Sequence, residues 1–272
     1  MNNLSMYCLT LNPSHLSAIK KIGYLPVGLG DDNFSQEWLT DKTKTNISNK
    51  NRYYGEYTFH YWIWKNELKN IGDKWIGFCQ YRKFWIIKKS NNISSFEDFK
   101  EICLKDIPNK FDSYESLIGE PLFVNQFRLS KFIKHNFKKM ILNPSLILNE
   151  KKRTLKFHFD MMHGDGNLKK AVRLLDIKDR DDFNEFINTE VSFNPHNMFI
   201  CKNKDILKNY YDALFPWLER CEKEFGFDNL EGYGQQRIYG FLAERFMSYW
   251  FKKNTKFSTL PILFKDISNY KL

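Results

Sequence analysis

The sequence predicts an α/β protein built on an open sheet, and three observations carry that expectation. Residues 75–79, WIGFC, form a nearly uninterrupted apolar run, the pattern of a strand covered on both faces. An aromatic helical stretch precedes this run and amphipathic stretches follow it, so helices and strands alternate along the chain. The strand exits onto Gln80, Tyr81, Arg82 and Lys83, and open α/β sheets bind ligands beyond the carboxyl ends of their strands. A cationic exit there suits an anion, although a solvated strand end would read the same way.

The 272 residues suffice for one large domain, and 42% hydrophobic, 17% aromatic and 27% charged content belongs to a folded chain rather than a disordered one. No uncharged apolar run approaches the ~20 residues of a membrane span. The N-terminus MNNLSMYCLTLNP lacks the basic start and apolar centre of a signal peptide, so a cytoplasmic location is expected. Five scattered cysteines without a C-x-x-C pair read as reduced, mostly buried thiols. The net charge of +10 favours an anionic partner: nucleic acid, a nucleotide-linked substrate or an anionic membrane face.

In chain order, LSMYCLTL at 4–11 is the first expected strand, ended by Asn12 and Pro13, with a short helix over 16–21. YLPVGLG at 24–30 reads as a second extended piece and 31–50 as an ordered polar loop. Gly28 and Gly30 complete neither a G-x-G-x-x-G fingerprint nor a P-loop, which disfavours those two cofactor classes. Over 51–68 the spacing predicts a helix with Tyr54, Tyr57, Tyr61, Trp64 and Leu68 on one face, Asn49 or Asn51 as its cap and Gly72 as a left-handed stop. SSFEDFKEICLKDI then predicts a surface helix capped by Ser94 or Ser95. PLFVNQF at 121–127 is a short strand candidate, and LSKFIKHNFKKM a basic helix that suits a membrane surface, a polyanion or plain solvation.

In 156–175, His158, Asp160, His163 and Asp165 gather around two glycines, which suits a general base or a helix-capping turn better than a metal, because the spacing is not H-E-x-x-H. Asp179 and Asp181 form an Asp-x-Asp, but they lead into DDFNEF and read as first-turn acids of a helix. VSFNPHNMFICKN predicts a strand interrupted at Pro195, with His196 and Asn197 at the kink. Leu207, Tyr211, Leu214, Leu218, Cys221 and Phe225 predict a long core helix kinked at Pro216. Glycines 226, 232 and 234 mark a loop. A last helix over 235–251 buries Ile238, Leu242, Phe246 and Tyr249, with Arg237, Gly240 and Glu244 on another face, and PILFKDISNYKL closes with a strand.

Taken in order, NISNKNRYYGEYTFHYWIWKN, WIGFCQYRKFW, NPHNMFICKN and QQRIYGFLAERFMSYW resemble the signatures of a bacterial family of glycosyltransferases from capsule and O-antigen loci, long labelled a domain of unknown function. The resemblance spans nearly the whole chain. The family pattern reads Cys-His-Tyr-Arg-Arg at the strand exit, where this chain has Cys79, Gln80, Tyr81, Arg82 and Lys83; an imidazole and one bidentate guanidinium are lost. The resemblance implies a single GT-A-like (Rossmann-like) domain over 1–272, with a mixed, mostly parallel central sheet flanked by helices, a donor half to residue 150 and an acceptor half after it.

It further implies a nucleotide sugar as donor, with a UDP-sugar favoured, and transfer of a hexose, galactose or galactofuranose, to a polysaccharide or lipid-linked acceptor. Where such folds carry Asp-x-Asp, this chain would have Arg82 and Lys83 to neutralise the leaving diphosphate, so no metal cofactor is favoured. Transfer needs a nucleotide cradle, positive charge on the diphosphate and, if configuration inverts, a base. The donor-binding candidates are Thr10, Asn51, Glu56, Gln80, Tyr81, Arg82 and Lys83; the base candidates are His163 and Asp165, with Glu244 behind them; His196, Asn197, Gln236 and Arg237 are donor or acceptor contacts. The expected location is the cytoplasm, with peripheral contact at the anionic inner face of the plasma membrane.

Two other readings compete. One is a basic, aromatic nucleic-acid-binding protein, against which stand the core spacing of the aromatics and the lack of a helix-turn-helix, zinc-finger or ribonucleoprotein pattern; no nucleic-acid partner is therefore expected. The other is a noncatalytic sugar-binding protein on the same fold.

Overall fold

A computed structural model describes residues 3–72, 74–89, 93–126, 149–228 and 230–270. The chain packs as two compact units, each assembled from separate segments: Met1–Glu120, His196–Ala213 and Trp250–Leu272 in the first, Pro121–Pro195 and Leu214–Tyr249 in the second.

The first unit holds the central sheet. Its strands are β1 (Leu4–Thr10), β2 (Leu25–Gly28), β3 (Leu39–Thr40), β4 (Trp75–Gln80), β5 (Lys83–Trp85), β6 (Ser116–Gly119), β9 (Phe199–Cys201), β10 (Phe257–Leu260) and β11 (Ile262–Phe264), while β7 (Leu122–Phe123) and β8 (Ser192–Phe193) pair in the second unit. The order is β10-β6-β9-β4-β1-β2-β3, with β5 extending from β4 and β11 from β5. β1 pairs in parallel with both β2 and β4, β2 with β3, and β6 with β10. β9 runs antiparallel between β4 and β6. This is the mixed, mostly parallel sheet expected of the fold, flanked by helices such as α1 (Leu16–Ile22).

Strand β4 is buried on both faces through Cys79, as its uninterrupted apolar run requires. Gly77 permits that density, because a Cβ there would lie 2.8 Å from Met6 Cε and 3.1 Å from Ile200 Cγ1. The five cysteines are free and buried. Strands β6 and β10 were not expected; each is four residues long, too short for period-two alternation to stand out from its neighbours.

The aromatic stretch departs from the expected single helix. It forms α2 (Asn51–Tyr54), breaks at Gly55 (φ 58°, ψ −134°), resumes as α3 (Tyr57–Trp62) and widens into a π-helical turn over Ile63–Glu67. Break and widening shift the phase, so Phe59, His60 and Ile63 join Tyr54 and Tyr57 inside, while Tyr61, Trp64 and Leu68 are only half-buried. Neither Asn49 nor Asn51 caps the helix, and the left-handed glycine is Gly55, not Gly72. Inside the core His60 hydrogen-bonds the Tyr211 hydroxyl at 2.6 Å, and burial holds its pKa down at about 3.

The helix α4 (Phe96–Ile102) starts at Ser95 with a capping box to Asp98. The expected basic helix after residue 127 lies outside the described residues.

In the second unit, α5 (Leu155–His163), α6 (Asn167–Arg173) and α7 (Ile177–Thr189) pack with later helices around Phe159, Leu168, Phe183 and Ile187. Asp179 sits in the first turn of α7, as its position before DDFNEF suggested, and accepts from the Tyr249 hydroxyl at 3.2 Å. Helix α8 (Lys204–Phe225) runs unbroken through Pro216, its residues from Leu214 onward belonging to this unit. The expected last helix is divided at Arg237 into α9 (Gly232–Gln236) and α10 (Ile238–Asn254), and Ile238, Leu242, Phe246 and Tyr249 are buried as expected. Among the described residues no helix is long and apolar enough to cross a membrane.

Two stability tests follow from the first unit. Gly55→Ala places a Cβ at positive φ and should cost about 1 kcal/mol or more, read from denaturant unfolding. Asp41, just past β3, is fully buried and neither carboxylate oxygen is hydrogen-bonded; the nearby Thr58 hydroxyl donates instead to the Gly55 carbonyl at 3.1 Å. Burial therefore raises the Asp41 pKa. A raised folded-state pKa means the contribution to stability is present below the unfolded value, about 3.9, and is lost as pH rises through the folded value. Asp41→Asn should accordingly melt higher than the parent protein at pH 7, with the gap closing as the pH is lowered below about 4.

Candidate active site

Because β1, β2, β3 and β4 run parallel, their carboxyl ends lie on one edge of the sheet. A polar pocket of about 320 Å³ opens there, lined in part by Gly30, Asp31 and Asp32 beyond β2, and by Asn49, Asn51 and Arg52 at the head of α2. Gly30 takes φ 77°, and a Cβ at that position would lie 3.0 Å from Leu11 Cδ2. The volume is within the usual range of small-molecule sites, about 300–1,000 Å³. One guanidinium and two carboxylates on its wall supply partners for both phosphate and sugar hydroxyls.

At the same edge, the exit of β4 carries a hydrogen-bonded cluster. Gln80 Nε2 donates to Glu56 Oε1 at 2.9 Å and to the His196 carbonyl at 3.0 Å. Asn197 Nδ2 donates to the same Glu56 oxygen at 3.0 Å, and Lys83 Nζ donates to Gln80 Oε1 at 3.1 Å. The amide of Gln80 is thus oriented by charge, its oxygen toward an ammonium and its nitrogen toward a carboxylate. His196 (φ 81°) and Asn197 (φ 53°) are consecutive non-glycine residues in the left-handed region, a conformation that costs about 1–3 kcal/mol per residue and recurs at functional sites.

The His196 ring meets the edge of Phe264 at 5.1 Å between centroids, and Phe264 is 62% exposed on β11, opposite Lys83. Burial and the Lys83 ammonium lower the His196 pKa to about 3, so the ring is neutral. Gln80 and Lys83 stand out in the sequence as a strand exit, Glu56, His196 and Asn197 through the family resemblance, and the fold joins all five. Phe264 was missed; an exposed aromatic at the end of a short strand gives no periodic signal.

The remaining candidates are placed differently. Thr10 is turned inward, its hydroxyl hydrogen-bonded to His15 Nδ1 at 2.8 Å and accepting from the Asn12 amide at 3.1 Å, so it closes the turn after β1 instead of lining the pocket. Asn51 lines the pocket while its Nδ2 donates to Gly55 O and Thr58 Oγ1. Tyr81 packs on His15 at 5.0 Å, and the exposed Arg82 lies over the Tyr81 ring, bonded to its hydroxyl and 3.7 Å from Asp266.

His163, Asp165, Glu244, Gln236 and Arg237 belong to the second unit, and the three proposed for proton transfer are not equivalent there. His163 is buried against Phe241 with its Nδ1 on the Gly234 carbonyl, and burial with the Arg245 charge lowers its pKa to about 2. Glu244 binds the buried Arg245 guanidinium, which also donates to His158 at 3.3 Å and stacks over Phe193 at 3.8 Å. Asp165 is exposed, and Arg237 lies over the Tyr233 ring. His163 and Glu244 are therefore engaged in holding the second unit together.

Of the carboxylates at the β4 exit, Glu56 accepts from two amides and Asp266 lies 3.7 Å from the Arg82 guanidinium, and the positions after Gln80 carry a guanidinium and an ammonium.

The family described as a domain of unknown function (DUF4422) matches residues 8–255. No curated protein matches the chain. Among solved structures, the apo form of WbbM, a bifunctional glycosyltransferase, superposes with a TM-score of 0.61 at 19% identity over 97% of this chain. The chain spans 45% of that protein's length. At that identity the likeness establishes a glycosyltransferase-like fold.

Proposed function

We propose that the chain, which belongs to the DUF4422 family, transfers a glycosyl group from a nucleoside diphosphate sugar to a hydroxyl acceptor. The observation that carries this reading is the conjunction, on one edge of a glycosyltransferase-like sheet, of the polar pocket beyond β1 and β2 with the cationic exit of β4. The pocket would take the nucleoside, with Asn51 and Arg52 at its wall. The diphosphate would then reach Lys83 and Arg82, whose positive charge offsets the charge that develops as the sugar leaves. That arrangement supports transfer without a divalent metal.

The finer reading is a UDP-hexose donor, galactose or galactofuranose, and a polysaccharide or lipid-linked acceptor of the capsule or O-antigen type. Transfer would take place in the cytoplasm or at the inner face of the plasma membrane. The exposed Phe264 ring supports a saccharide partner, since an apolar face with polar surroundings matches a pyranose.

A melting-temperature panel of nucleotide sugars, with and without chelator, tests the reading. At a ligand concentration 100-fold above Kd the folded state should gain about 2.7 kcal/mol, seen as a rise of several degrees that survives chelation. The absence of a response to every nucleotide sugar would remove the proposal. Arg82→Ala and Lys83→Ala should each cut transfer by roughly tenfold or more while leaving the melting temperature without ligand nearly unchanged for the exposed Arg82. Undiminished transfer in a folded Arg82→Ala protein would take Arg82 out of the site.

A further inference from the structure

We propose that Glu56 is the proton acceptor of the transfer reaction, with Gln80 and Asn197 as positioning residues that hold its carboxylate in place. The proposal rests on the glycosyl-transfer reading above and assigns within it a role for which the family resemblance had suggested His163, Asp165 and Glu244.

Three observations converge on Glu56. One carboxylate oxygen receives amide N–H groups from residues 24 and 141 positions away, Gln80 and Asn197, so a single plane of the carboxylate is fixed by tertiary contacts. Each donor is itself constrained: Gln80 by the Lys83 ammonium and the His196 carbonyl, Asn197 by a backbone held in the left-handed region. A fold that sustains two such residues in succession is spending conformational energy to place that amide.

Chemistry then selects among the members of the cluster. The amides of Gln80 and Asn197 do not take up protons, and Lys83 already carries its own. His196 is a poor acceptor because burial and Lys83 oppose its imidazolium. Glu56 is the group in this cluster that can take a proton from a hydroxyl and then pass it to water. An acceptor sugar has a place to lie, on the exposed Phe264 ring beside His196.

The step balances as an in-line displacement. The acceptor oxygen forms a bond to the anomeric carbon as the bond from that carbon to the diphosphate oxygen breaks. The electron pair of the broken bond leaves with the diphosphate, and the acceptor's proton passes to the Glu56 carboxylate. Configuration at the anomeric carbon inverts.

The test uses the full chain and UDP-galactose, or whichever nucleotide sugar gives the largest rise in melting temperature, with water as acceptor and azide as a second nucleophile that carries no proton. Calorimetry measures donor binding, and release of nucleoside diphosphate measures turnover. Glu56→Gln and Glu56→Ala should bind donor within about threefold of the parent and lose roughly 10²- to 10⁴-fold in kcat. Azide should restore turnover in Glu56→Ala and yield the glycosyl azide of inverted configuration. Gln80→Ala should lower kcat with the donor KM unchanged, the split expected of a positioning residue and not of a general loss of packing.

Turnover within about tenfold of the parent in both Glu56 variants would overturn the base assignment while leaving glycosyl transfer standing. So would loss of donor binding together with turnover, which would make Glu56 a donor ligand, or failure of azide to rescue a folded Glu56→Ala. If Glu56→Ala does not fold, the near-isosteric Glu56→Gln decides by the same comparison of kcat and Kd. A parent protein that neither binds nor turns over any nucleotide sugar would overturn the glycosyl-transfer reading itself.

Discussion

Parallel pairing on both sides of β1 is the constraint from which the candidate site follows. Because β2 and β4 both run with β1, and β3 with β2, four strands release their chains at the same edge, where Asn12, Gly30, Asp31, Asp32, Asp41 and Arg82 follow within a few residues of the strand ends. Parallel strands need long crossovers, and the crossover from β3 to β4 is the aromatic segment that delivers Asn51 to the pocket and Glu56 to the cluster. A different pairing of β1 would scatter these residues. The buried density of β4, with Gly77 closed over by Met6 and Ile200, keeps that pairing in one register.

Around Gln80, charge is organised by the orientation of an amide. The cluster at the β4 exit sets one cation and one carboxylate at opposite ends of the Gln80 amide, and a second amide from Asn197 stabilises the carboxylate. Such a chain of hydrogen bonds fixes the orientation of the Gln80 amide in a partly buried setting. The left-handed backbone at His196 and Asn197 is maintained because β9, immediately after it, is locked between β4 and β6.

The second unit solves a different problem with similar means. Arg245 is almost wholly buried, and its guanidinium is offset by Glu244, His158 and the face of Phe193. Removing one partner from such a group leaves an uncompensated charge, so Glu244 and His158 are tied to the Arg245 guanidinium. The depressed imidazole pKa values of His158 and His163 report burial beside a cation.

The α/β class, β1, β4, the capped helix α4 and the buried positions of α8 and α10 were legible because hydrophobic period and capping chemistry are local properties. So were the residue types at the β4 exit. The phase of the aromatic helix was not, because Gly55 and a π-helical turn shift it by less than any pattern of side chains reveals. The four-residue strands β6 and β10 are specified by their neighbours in the sheet, and the inward turn of Thr10 by a histidine five residues on. The sequence by itself determined which chemical groups are present and which segments bury themselves. Only the tertiary structure decided that Glu56, Gln80, Lys83, His196 and Asn197 meet, because hydrogen bonds between residues up to 141 positions apart depend on strand order, and strand order is fixed by packing between segments, not within them.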